Sequence, residues 1–184
     1  IDVSIPRRDS KVGVGHRGIA VEGDPTMTTT EAARRRDLTI NAMMLDLVDG
    51  ELLDPFGGRG DLQAGILRAV DHDTFLEDPL RAVRVVQFAG RFGFEVDPAT
   101  AALCRRAPLD ELPAERICEE WRKLLLRSPS PSVGLRVARD TAQLERLFPE
   151  AMPALGGDDS AVDRAAAAST DAPEGFRLAL LVGT

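Results

Sequence analysis

With 184 residues, 43% of them apolar, the chain can build one sizeable core or one and a half small domains. No apolar run approaches membrane-span length and no signal-peptide pattern is present, so the sequence reads as a cytoplasmic protein with no membrane segment. The net charge of −7 argues against a general nucleic-acid coat protein, although residues 150–184 hold −4 of it and leave the body near neutral, with basic clusters at Arg7-Arg8 and Arg34-Arg35-Arg36.

The chain opens on an alternating run, residues 1–5, that predicts a strand ended by Pro6. A Gly-rich basic stretch from Arg7 to Gly23 follows. It contains Gly13, Gly15 and Gly18 in GxGxxG spacing. A dinucleotide site needs a strand feeding directly into a helix there; a surface loop is the expectation instead. Thr28-Thr29-Thr30-Glu31 has capping-box form and predicts a short helix through Arg34. Residues 38–47 and 51–54 flank Asp49-Gly50, a hairpin signal. Pro55-Phe56-Gly57-Gly58 then makes a turn, residues 61–63 a helical turn, and residues 66–70 a further short strand. From Thr74 onward helices are predicted over 77–94, 98–106, 113 to about 127, beyond Pro131, and near 144–148. Residues 156–174, rich in Gly, Asp, Ala and Ser, predict a linker. Residues 176–182 resume an apolar run. Cys104 and Cys118 lack CxxC spacing and read as free thiols.

The expected fold class is α+β. Residues 1–72 form the strand-rich part, 73–150 a helical part, 151–175 a linker or mobile loop, and 176–184 the start of another helical segment. The seam falls beside Glu77-Asp78-Pro79-Leu80-Arg81-Ala82-Val83-Arg84. Asp78 and Arg81 are three apart and project from one face of a helix's first turn, with Arg84 extending that face. Alone, such an arrangement is an ordinary surface ion pair of small value. Asp46 and Asp54, at strand ends and turns, are expected to bond their own backbone. His16 and His72 have no partner spacing for metal or acid–base work.

Three stretches, Arg35-Arg36-Asp37-Leu38-Thr39-Ile40-Asn41-Ala42, the hairpin ending in Asp54-Pro55-Phe56-Gly57-Gly58, and Glu77-Asp78-x-x-Arg81, stand in an order that resembles motifs B, C and D of one family. It comprises the class II tRNA nucleotidyltransferases (CCA-adding enzymes) and bacterial poly(A) polymerases. Glu115-Arg116-Ile117 is similar to its motif E, and the basic Gly-rich stretch to its flexible loop. The resemblance covers about residues 1–150. It implies part of a polymerase-β-like head with a mixed sheet, followed by an all-helical neck. It also implies template-independent addition of C and/or A to the tRNA 3′ end from CTP and ATP with Mg²⁺. A poly(A) polymerase, or a non-catalytic RNA-binding domain, is the alternative. By the resemblance, Arg36, Asp37, Asp78, Arg81 and Arg84 bind the nucleotide. Arg35, Asp54, Glu77, Glu115 and Arg116 are structural.

The chemistry agrees with that assignment. Cytosine and adenine each present an exocyclic amine beside a ring-nitrogen acceptor, and uracil and guanine present a carbonyl beside an N–H. An acid that accepts and a guanidinium that donates favour the first pair. The sequence departs from the family at the front: the DxD metal pair expected on an early strand after a Gly-rich turn does not occur. Asp71-His72-Asp73 is the only literal DxD and reads as a turn. Asp2 could be an accessory metal ligand. The expectation is therefore a fragment that recognises nucleotide but is inactive alone, partnered by tRNA or another RNA, with its oligomeric state left open.

Overall fold

In a computed structural model the described residues are 7–11, 19–149 and 160–168. The predicted strand at residues 1–5, the glycines of the GxGxxG, His16, Asp2 and the apolar run at 176–182 lie outside them. Strand β1 (Arg7–Lys11) pairs antiparallel with β2 (Ile19–Gly23), Arg7 opposite Gly23 and Lys11 opposite Ile19. The stretch expected as a surface loop therefore begins and ends in the two strands of one five-residue ladder. Its glycines and charges hide the weak alternation Ile19-Ala20-Val21.

Helix α1 (Thr29–Arg34) starts with the capping box: Thr28 accepts from the Glu31 N–H at 3.2 Å, and the Thr28 N–H donates to the Glu31 carboxylate at 2.9 Å. The predicted long strand over 38–47 is cut short. Asp37 accepts from the Leu38 N–H and from Asn41 Nδ2, and the chain winds into a 3₁₀ turn at Thr39–Asn41. Only β3 (Met44–Leu45) and β4 (Leu52–Leu53) remain paired. Their connection closes through the Asp46 N–H on the Glu51 carbonyl, with Gly50 at φ +76°.

Asp54 then accepts from the Gly58 and Arg59 N–H groups at 2.7 and 2.9 Å and starts α2 (Gly58–Ala64). Gly58 is needed on steric grounds: a Cβ there would lie 2.1 Å from the Thr39 carbonyl oxygen. Next come β5 (Ile66–Leu67) and the one-turn helix α3 (His72–Phe75), whose first N–H groups are capped by Asp71. Helix α4 (Leu80–Phe92) is shorter than the predicted 77–94 and begins at Leu80, because Pro79 has no N–H and Asp78 takes the Leu80 N–H at 3.1 Å. After Gly93 comes β6 (Glu95–Val96), parallel to β5 and not expected from the sequence. Helices α5 (Pro98–Arg106), α6 (Ala114–Arg127), α7 (Pro131–Asp140) and α8 (Gln143–Leu147) follow their predicted positions closely. Helix α9 (Ser160–Ala168) falls inside the stretch expected as a linker. Its Asp163 accepts from the Ser132 N–H at the start of α7 at 2.8 Å.

The molecule is organised around α4. Ala82, Val83, Val85, Val86 and Ala89 are at most 1% exposed, and α6 and α7 pack across them. Gly90 and Gly134 allow the close approach, each lying where a Cβ would meet Leu124 Cδ1 at 2.3 to 2.4 Å. Trp121 of α6 meets the Phe148 ring edge-on at 4.8 Å. The same buried cluster takes in Leu38, Leu67 and Ala69 from the first part of the chain and Val162 from α9. The α+β class is as expected, with small paired strands first and helices after.

Candidate functional site

Asp37, Asp78, Arg81, Arg84 and Arg116 gather where the end of α1, the start of α4 and α6 meet. Asp37 follows α1 and is 8% exposed. One carboxylate oxygen accepts from the Leu38 N–H at 2.8 Å and from Asn41 Nδ2 at 3.0 Å; the other accepts from Arg84 Nε at 2.7 Å. Burial pushes the Asp37 pKa up, but the Arg84 charge and these hydrogen bonds outweigh it and hold the carboxyl below its usual range. The Arg84 guanidinium also lies over the Phe88 ring, 5.1 Å from its centroid, and its Nη1 is 3.9 Å from the carboxylate of Glu120 on α6.

Asp78 and Arg81 share the turn that starts α4, and their functional atoms take separate partners. Asp78 accepts the Arg116 guanidinium with both oxygens, at 3.0 Å from Nη2 and 3.4 Å from Nη1. The two side chains are 38% and 28% exposed, so this pair adds little stability, on the order of 1 kcal/mol at most. Arg81 donates from Nη1 to the Thr74 carbonyl and from Nη2 to the Arg35 carbonyl, each at 2.6 Å. It thus ties the end of α1 and the end of α3 to the start of α4. Burial lowers its pKa, against the pull of Asp78, Asp37 and Glu77, and a guanidinium stays cationic regardless. Two of its five N–H groups are used in these contacts.

The remaining residues are placed as follows. Arg35 is half-buried through its position at the α1 C-cap. Arg36, Glu77 and Glu115 are exposed. Asp54 spends its carboxylate on the α2 N-terminus, and Asp46 accepts from the Val48 N–H at 2.8 Å. Asp71 caps α3 and pairs with Arg34 at 3.0 Å. Among the described residues no group of three or more His, Cys, Asp or Glu side chains is fit to hold a metal ion. None of the described helices is long and apolar enough to cross a membrane.

Glu120 escaped the sequence reading. It is 4% exposed and stands in the stripe Ile117, Glu120, Trp121, Leu124, where α6 faces the core. An acid at the i+3 position of an apolar i, i+3, i+4, i+7 stripe was the available signal. Lys123 donates to it at 2.9 Å.

Two family models match the sequence. "Poly A polymerase head domain" covers residues 6–68 and "Probable RNA and SrmB- binding site of polymerase A" covers residues 93–155. The chain is 42% identical over 156 residues to the "Multifunctional CCA protein" of Xanthomonas campestris pv. campestris (strain B100), covering 81% of this chain and 38% of that protein. To the protein of the same name from Methylococcus capsulatus (strain ATCC 33009 / NCIMB 11132 / Bath) it is 43% identical, covering 81% and 36%. The chain therefore spans somewhat over a third of the length of these relatives. Among solved structures, a tRNA nucleotidyltransferase complexed with a primer tRNA and an incoming ATP analog superposes with a TM-score of 0.69 at 30% identity, over 87% of this chain and 51% of that one. A tRNA-processing enzyme with CTP gives 0.66 at 29%, over 85% and 47%.

Proposed function

The chain belongs to the family of class II tRNA nucleotidyltransferases (CCA-adding enzymes) and bacterial poly(A) polymerases, and from that premise we propose that it is the nucleotide-selecting part of a template-independent RNA nucleotidyltransferase. The protein adds C and/or A to a tRNA 3′ end, taking CTP and ATP as substrates, in the cytoplasm. Residues 1–72 belong to the head and 73–150 to the helical neck, against which α9 packs through Val162 and Asp163.

Asp78 accepts from the exocyclic amine of cytosine or adenine, and Arg81 donates to the ring nitrogen beside it. Arg36, Asp37 and Arg84 bind elsewhere on the nucleotide. Glu77, Glu115, Arg116, Arg35 and Asp54 keep these groups in place. The metal the family implies is Mg²⁺, which supplies charge neutralisation at the triphosphate when bound. The described residues, Asp71 and Asp73 included, do not fit such a site. Their part is confined to binding and orienting the nucleotide.

The observation supporting this reading is the anchoring of Asp78 and Arg81 at the α1–α4–α6 seam. An acid and a planar donor are held from outside their own helix turn, the acid by Arg116 and the donor by two main-chain carbonyls. A site that recognises a base by hydrogen bonds needs groups fixed in this way. The test is nucleotide selectivity in the full-length protein. Asp78→Ala is expected to lower the preference for CTP and ATP over UTP and GTP by roughly a hundred-fold or more, since a wrong base no longer meets a carboxylate it cannot satisfy. Arg116→Ala, which releases Asp78 but keeps its carboxylate, is expected to lower the preference less than Asp78→Ala does. Unchanged selectivity in folded Asp78→Ala protein would sink the assignment.

A further inference from the structure

Glu120 is a buried charged group at the seam that the reading above does not use. Its carboxylate is buried at 4% exposure in the apolar stripe of α6. One oxygen accepts from Lys123 at 2.9 Å and faces Arg84 Nη1 at 3.9 Å. The other has no hydrogen-bond partner among the described residues. A buried acceptor left unmade is costly, and an apolar side chain of similar volume at such a position is commonly neutral or stabilising. Lys123 does not need Glu120 either, since its ammonium also pairs with Glu119 at 3.1 Å. Packing and local pairing therefore leave this carboxylate unexplained.

Arg84 supplies the explanation. Its guanidinium is pinned at Nε by Asp37 and lies over the Phe88 ring. A single hydrogen bond at Nε fixes one edge and leaves the plane free to swing about it. Glu120 lies on the Nη1 side, on a different helix from both other contacts, and its negative charge draws that end of the fork inward. The three contacts together fix where the remaining N–H groups of Arg84 point.

We propose that Glu120 is a positioning residue of the nucleotide site, holding the Arg84 guanidinium in the orientation that meets the nucleotide. This rests on the assignment of Arg84 as a nucleotide contact made above. Glu120 touches no substrate; it acts through Arg84, from α6 onto α4. The apolar alternative at position 120 would keep α6 packed and lose that orientation.

The test is calorimetric titration of the full-length protein with CTP and with ATP, alongside thermal melting. Glu120→Gln is expected to weaken binding of both nucleotides about ten-fold, within the range seen for coupled neighbours, with little change in melting temperature. Glu120→Leu is expected to melt at the same or a higher temperature and to bind as weakly. Glu120→Asp, which keeps the charge on a shorter arm, is expected to recover part of the affinity. In the double variant, Arg84→Lys with Glu120→Gln is expected to bind no more weakly than Arg84→Lys alone. Wild-type affinity in Glu120→Gln, a loss that adds to that of Arg84→Lys, or a melting temperature that falls in step with affinity would each overturn the inference. In those cases Arg84 could still be a nucleotide contact. If Arg84→Lys itself binds both nucleotides like wild type, the Arg84 assignment fails and this inference with it.

Discussion

Burial alone would raise the Asp37 pKa, and Arg84, Asn41 and the Leu38 N–H bring it below its ordinary value instead. A carboxyl held below its ordinary value of 3.8 contributes stability that is complete above that value. The contribution is lost as pH falls through the lowered folded value, because there the unfolded chain binds the extra proton. Asp37→Asn is therefore expected to lose about 2 kcal/mol at neutral pH, through Arg84 left with a weaker partner, and to show a shallower fall in stability below about pH 4 than the wild type. Urea titrations across that range check both. Little of this was legible in the sequence. Arg35-Arg36-Asp37 and Glu77-Asp78-x-x-Arg81 marked the neighbourhood. Apart from the Leu80 N–H on Asp78, the partners described for Asp78 and Arg81 lie between 7 and 46 positions away, and two of those three are main-chain carbonyls, which every residue carries and no pattern singles out. Glu120 was legible in principle, as an acid on an apolar stripe.

Helices show the opposite balance. Asp97 with Pro98, Pro113 and Pro131 announce α5, α6 and α7, and the apolar period carries each to its end. Of the two-residue strands, β3, β4 and β5 fall within predicted runs, and β6 was not legible, since it pairs only because α4 returns the chain alongside Ile66 and Leu67. Nor did spacing disclose why α4 and α7 approach so closely. At Gly134 an added Cβ would stand 2.7 Å from the Val86 carbonyl oxygen, so the α4 backbone itself would have to move; at Gly90 the nearest atom is the flexible end of Leu124, with backbone no nearer than 3.3 Å. Gly134→Ala is expected to destabilise the fold by about 2 kcal/mol, an overpacking cost. Gly90→Ala is expected to cost less, part of its overlap being relieved by a Leu124 rotamer change and part offset by the gain in helix propensity. Equilibrium unfolding of the two variants ranks them.

Across the whole molecule one buried cluster joins Leu38, Leu67 and Ala69 to the helices from α4 to α9. Cys104 lies within it, and burial pushes its thiol up to about 12, whereas Cys118 is exposed. A thiol reagent at about pH 8 is expected to modify Cys118 alone in the native protein, because the thiolate is the reactive form. Cys104 should become reactive only in the transition that removes the helical signal. Labelling of Cys104 ahead of that transition would show that α5 opens independently. The continuity of the core also gives Arg81 a heritable consequence. Its two partners are carbonyls of positions 35 and 74, which no codon change there abolishes short of moving the backbone. The clamp therefore asks nothing of the side chains at those two positions while it requires arginine at 81, and a lesion at Arg81 has no second-site suppressor at either of them. In a lineage of such proteins this clamp would appear as a solitary constrained arginine with no co-varying partner.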